Sequence, residues 1–100
     1  MHDARVHDAI GRYCVSRAGR DKGKTFIIVG LAGDQEHVLI CDGELRKIAK
    51  PKKKKPMHLR ISLRGDDEIR ATLVGGKTVQ DAQVRKSIAK FQGLLTGTEN

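Results

Sequence analysis

Between Leu45 and Arg64 the chain carries nine Lys or Arg residues (Arg46, Lys47, Lys50, Lys52, Lys53, Lys54, Lys55, Arg60 and Arg64) and no Asp or Glu. Ammonium and guanidinium groups at that density suit a phosphate-rich partner. Pro51 and Pro56 bracket the four-lysine run, removing two backbone donors and favouring an extended chain, so the run is expected as a solvated loop with its lysines fanning outward. A lone charge run is usually a self-repelling linker without a partner. A second basic element weighs against that reading. It is the turn Gly19-Arg20-Asp21-Lys22-Gly23-Lys24, preceded by Arg17, whose two glycines permit a tight hairpin with two positive charges and one negative at its tip.

Other chemistries find less support. The four histidines (His2, His7, His37, His58) are scattered, and two of them fall in a polar lead-in. Cys14 and Cys41 are separated by 26 intervening residues with no second pair to complete a zinc site, and both fall in apolar runs where a thiol acts as a small buried hydrophobe. His37 near a cysteine imitates a thiol–histidine pair, but no third group is placed to orient it. No enzymatic activity, catalytic residue, metal or cofactor is expected.

The whole chain carries 20 Lys plus Arg against 12 Asp plus Glu, a net charge of +8 that points to a polyanion, either nucleic acid or an anionic membrane surface. No stretch approaches the roughly 18 apolar residues that span a bilayer, and the N-terminus lacks the apolar centre of a signal peptide. A cytoplasmic nucleic-acid binder without membrane contact, monomeric when free, fits best. Tyr13, Phe26 and Phe91 are the only aromatic residues. Phe26 lies in an apolar strand and Phe91 on a helical apolar stripe, which leaves Tyr13 alone, too little for a platform that stacks single-stranded bases. Recognition is expected to run through phosphate, sugar and shape, the mode suited to folded RNA.

The elements that must position these residues read mainly as short strands. Residues 10 to 16 and 24 to 30 flank the glycine turn and are rich in β-branched and aromatic side chains. Residues 37 to 41 form a third strand, and Asp42-Gly43 turns into a fourth over 44 to 48, whose pattern leaves its register open. Residues 57 to 63 alternate, with Met57, Leu59, Ile61 and Leu63 inward and His58, Arg60 and Ser62 outward. Five short strands suit a small closed or partly closed barrel, of SH3-like or OB type. A helix then starts near Asp66-Asp67-Glu68, Gly75-Gly76 breaks it, and Thr78 caps a second with Asp81 three residues on. Val84, Ile88, Phe91 and Leu95 form its apolar stripe, expected to dock on the barrel, and Gly93 is expected to end it.

The strand, glycine turn and strand from Ile10 to Val29 resemble the KOW motif of ribosomal proteins and transcription elongation factors. Val38-Leu39-Ile40, Asp42-Gly43, Arg46-Lys47, Pro51-Lys52-Lys53-Lys54-Lys55 and His58-Leu59 resemble its continuation in an archaeal and eukaryotic large-subunit ribosomal protein group and in small stand-alone bacterial KOW proteins. The tail, including Thr78 to Lys86, is similar to the bacterial group only.

The resemblance implies a mainly β fold: a five-stranded SH3-like barrel over residues 9–63, with a helical extension over 64–95 packed on it. It also implies contact with structured RNA, above all ribosomal RNA, in translation or ribosome assembly. The residues expected at that contact are Arg17, Arg20, Lys22, Lys24, Arg46, Lys47, Lys50, Lys52, Lys53, Lys54, Lys55, His58 and Arg60. The rival is an SH3-like protein-interaction module meeting ribosomal or transcription proteins, for which an exposed apolar groove would speak.

Overall fold

Three of the apolar runs become neighbouring strands, β1 (Arg12–Ser16), β2 (Thr25–Leu31) and β3 (Val38–Cys41). The computed structural model describes residues 8 to 96, and of 95 and 96 only the backbone. Residues 1 to 7, His2 and His7 among them, lie outside the described residues, as does the side chain of Leu95. Two further strands, β4 (Lys52–Lys54) and β5 (Leu59–Gly65), complete an antiparallel sheet in the order β4-β3-β2-β1-β5. Two helices follow, α1 (Asp67–Val74) and α2 (Asp81–Thr96). The sheet is open, with β4 and β5 at its edges.

The fourth strand differs from expectation. Residues 44 to 48 do not pair, because Oδ1 of Asp42 accepts from the amides of Glu44 and Arg46, both at 2.9 Å. The amides of Asp42 and Gly43 in turn donate to the Arg46 carbonyl, curling the segment on itself. The edge of β3 is taken instead by Lys52–Lys54, which had been expected to be a loop. Both prolines fall outside this strand, so its backbone donors are intact.

Alternation along the strands makes two cores, one on each face of the sheet. Tyr13, Ile27 and Cys41 join Ile69, Val79, Val84, Ile88 and Phe91, so the helices cover one face. Cys14, Phe26, Ile28, Val38, Ile40 and Leu59 pack with Ala9 on the other. A bulge between Ile28 and Gly30 shifts the alternation and lets Leu31 join this second core. Both cysteines are buried free thiols, each pushed up to about 12 by burial, with further upward pressure on Cys14 from Cys41 and on Cys41 from Asp81 and Asp42.

Two inward assignments in the last strand fail. Met57 sits in a single 3-10 turn (Pro56–His58) and is 71% exposed. Leu63 is 90% exposed because the pairing of β1 with β5 steps from Cys14–Ile61 to Arg12–Gly65, which leaves two extra residues on β5.

The start of α1 agrees with its acids: Asp66 Oδ1 accepts from the Ile69 amide at 3.0 Å, and Asp67 and Glu68 occupy the first turn. The start of α2 does not follow the Thr78 capping box. The helix begins at Asp81, whose Oδ1 accepts from the Ile48 amide at 2.8 Å and ties the curled segment to the helix. Gly93 does not end α2, which continues to Thr96.

Tyr13 is not left outside the core as expected. It is 7% exposed and its ring stacks on Phe91 with centroids 4.1 Å apart and planes 9° from parallel. Ser87 Oγ donates to Asp66 Oδ2 at 2.6 Å, and because a carboxylate only accepts, the Tyr13 hydroxyl donates to Ser87 Oγ at 2.8 Å. Burial pushes the Tyr13 phenol up, with the Asp66 and Asp67 charges adding to it, against the Ser87 hydrogen bond.

Candidate functional site

The β1–β2 hairpin places the first basic element. Gly19 and Gly23 both hold positive φ, +79° and +87°, so a side chain at either would strain the turn. The Gly23 amide donates to the Ser16 carbonyl at 2.8 Å and the Ser16 amide to Lys24 at 3.0 Å, closing the loop that carries Arg20, Asp21 and Lys22.

The lysine strand reaches this loop directly. Lys52 and Lys54 lie opposite Ile40 and Val38 in the β3–β4 register, so their stems share the face of the second core. Their ammonium groups end at the hairpin: Lys54 Nζ donates to the Ala18 carbonyl at 3.1 Å, and Lys52 Nζ lies 3.5 Å from Asp21 Oδ2. Arg46 donates to the same Asp21 oxygen from Nη2 at 3.1 Å and from Nε at 3.3 Å. The expectation that the run is a loop of outward-fanning lysines is therefore corrected for these two, because β-pairing alternates the side chains. Lys53, on the opposite face, pairs with Asp34 at 3.6 Å.

The rest of the candidate surface gathers at the same end. The Arg17 amide donates to the His58 carbonyl at 2.8 Å, and Arg60 sits opposite Val15 in the β1–β5 register, next to the Ser16–Leu59 pair. Lys47 and Lys50 line a shallow cleft of about 530 Å³ with Leu45, Arg46, Pro51 and Lys52. Lys24 faces a second groove, with Asp42, Glu44 and Arg85. Arg17, Arg20, Lys22, Lys24, Lys47, Lys50, Lys55 and Arg60 are exposed, and none has a carboxylate of the described residues within ion-pair distance. Asp66, Asp67 and Glu68 follow the far end of β5, about 20 Å from its first residue at the usual strand rise. Exposed cations thus gather around the hairpin end, while Arg64 and Lys90 share the other end with those acids.

Asp21 is the residue that sequence reasoning undervalued. It is 3% exposed. Burial alone would push its carboxyl up, but the hydrogen bonds and charges of Arg46 and Lys52 outweigh that and hold it below the usual carboxylate range. A depressed carboxylate contributes stability above the unfolded pKa of about 3.9, and the contribution is lost as pH falls through the folded value. The melting-temperature gap between the wild type and Asp21→Asn should therefore be widest near neutrality and narrow as pH falls below about 4. A gap independent of pH would mean that Asp21 is not ionised in the fold. The only sequence signal was an acid placed among cations at a hairpin tip.

Among the described residues no three His, Cys, Asp or Glu side chains gather as a metal site. His37 Nδ1 lies 2.7 Å from Asp34 Oδ2, and Cys41 is buried. No described helix is long and apolar enough to cross a membrane. No protein-family model and no curated protein matches the chain.

Proposed function

We propose that this chain is a non-enzymatic RNA-binding protein of KOW type, which holds the phosphate backbone of a structured RNA at the hairpin end of an SH3-like barrel. The observation that carries the reading is the contact of two basic segments about thirty residues apart, at Lys54 Nζ to Ala18 and at Arg46 and Lys52 to Asp21. Around that contact stand exposed cations without an acid partner among the described residues. The strand order and a second core built almost wholly from strand residues support a sheet that curls on itself. All three aromatic rings are in the two cores, so base stacking is not on offer and phosphate, sugar and shape remain. Ribosomal RNA, met in translation or ribosome assembly in the cytoplasm, is the partner that the KOW resemblance favours.

The test is a titration of a labelled RNA stem-loop across a salt series. With four to six phosphates neutralised, log affinity should fall against log salt with a slope between about −3 and −5. A second reading, a protein-interaction module, draws on the exposed side chains of Leu45, Met57 and Leu63. Affinity for the stem-loop that ignores salt would abandon the phosphate reading in favour of that one.

A further inference from the structure

A carboxylate on a phosphate-binding surface repels the ligand it faces, so the position of Asp21 needs a physical reason. The reason lies beneath the surface. Asp21 is buried, and its one oxygen Oδ2 collects Arg46 from the curled segment after β3 and Lys52 from β4 while its own backbone belongs to the hairpin. Three chain segments meet on that atom. Both cations remain about one third exposed, Arg46 at 31% and Lys52 at 32%. A guanidinium has five donors and the carboxylate takes two, so three remain for a group arriving from outside. The Arg46 backbone is also fixed, its amide held by Asp42. Flexible cations normally lose rotamer freedom when they bind phosphate, and here the fold has already ordered them.

We infer that Asp21 is a positioning residue for phosphate recognition: it holds Arg46 and Lys52 side by side from below, so that their outward donors meet the RNA backbone. The inference rests on the RNA-binding reading and makes a prediction that simple charge counting reverses. Asp21→Asn adds one net positive charge, which by long-range attraction alone would tighten binding. With the clamp lost, Arg46 and Lys52 swing free, and binding to the stem-loop should weaken about tenfold at 0.1 M salt, with the salt slope shallower by one to two contacts. The slope separates positioning from mere instability, since a partly unfolded population lowers the active fraction and leaves the slope of the folded molecules unchanged.

The experiment titrates wild type and Asp21→Asn on one RNA stem-loop at several salt concentrations, with circular dichroism as the folding control and hydrogen exchange at the amides of Lys22, Gly23 and Lys24. Arg46→Gln is the second variant and covers an Asp21→Asn protein that does not fold. It removes the Arg46 donors themselves and leaves Asp21 on Lys52, so its slope should fall by about one. The inference is overturned if Asp21→Asn binds as tightly as wild type or tighter with an unchanged slope, or if Arg46→Gln leaves both affinity and slope unchanged. Should wild type show no salt-dependent binding, the RNA reading itself fails. The clamp then stands or falls on whether Asp21→Asn speeds exchange at the hairpin amides while those of α2 stay protected.

Discussion

Phe91→Ala should destabilise the protein by about 3 kcal/mol, lowering the melting temperature by roughly 15 °C for a domain of this size. The ring is 4% exposed and lies flat on Tyr13, so its removal leaves a cavity between α2 and β1 that neither rigid element can fill. Tyr13 cannot follow the missing ring, because its hydroxyl is held by Ser87, which is held in turn by Asp66 at the start of α1. Such a loss is a large part of the stability available to a small domain. Urea unfolding monitored by circular dichroism measures it. At temperatures where the variant is folded, its affinity for an RNA stem-loop should stay within about twofold of wild type, since the substitution lies on the face of the sheet opposite the core that Lys52 and Lys54 cover. An unchanged melting temperature would mean that α2 does not dock on the sheet.

The largest effect on binding is expected from removing four exposed cations together: Arg20→Ala and Lys22→Ala in the hairpin with Lys50→Ala and Lys55→Ala around the lysine strand. Each lost phosphate contact costs close to a factor of ten at 0.1 M salt, so the quadruple variant should bind a stem-loop roughly 10⁴-fold more weakly and lose about 3.5 units of salt slope. The four side chains are exposed and have no ion pair among the described residues, so each change should shift stability by no more than about 0.5 kcal/mol. The two pairs should also contribute separately on the same RNA. If the hairpin pair changes neither affinity nor slope while the lysine-strand pair changes both, the two basic elements are not one surface and the glycine turn is only a turn.

Lys53 and Lys54 show why adjacent lysines make poor substitutes for these positions. Lys54 is bonded to Ala18 and covers the second core, so its replacement would disturb the fold as well as the charge. Lys53 is already partly neutralised by Asp34. In the sequence the four lysines are equivalent, and they become distinct only when pairing with β3 gives Lys52, Lys53 and Lys54 a face each and leaves Lys55 beyond the strand.

The sequence by itself determined the elements whose signals are local. Clustered β-branched and aromatic residues were enough for β1, β2 and β3, two glycines for the hairpin between the first two, and three consecutive acids for the start of α1. The stripe Val84, Ile88 and Phe91 was legible for the same reason, since a period near 3.6 specifies a buried helical face whatever covers it. The concentration of positive charge was legible as composition. The tertiary structure decided everything that depends on a distant partner. Residues 44 to 48 look like a strand in isolation, yet the Asp42 side chain satisfies their amides and Asp81 anchors Ile48, so β3 pairs instead with a lysine run of low strand propensity. Met57 and Leu63 alternate correctly, but a 3-10 turn and a two-residue irregularity break the period on which an inward assignment depends. Asp21 read as one acid diluting a basic turn, and its role needed Arg46 and Lys52 brought from 25 and 31 residues away to one oxygen. Local propensity is written residue by residue, whereas an ion pair between distant segments exists only after the chain has closed the loops between its members.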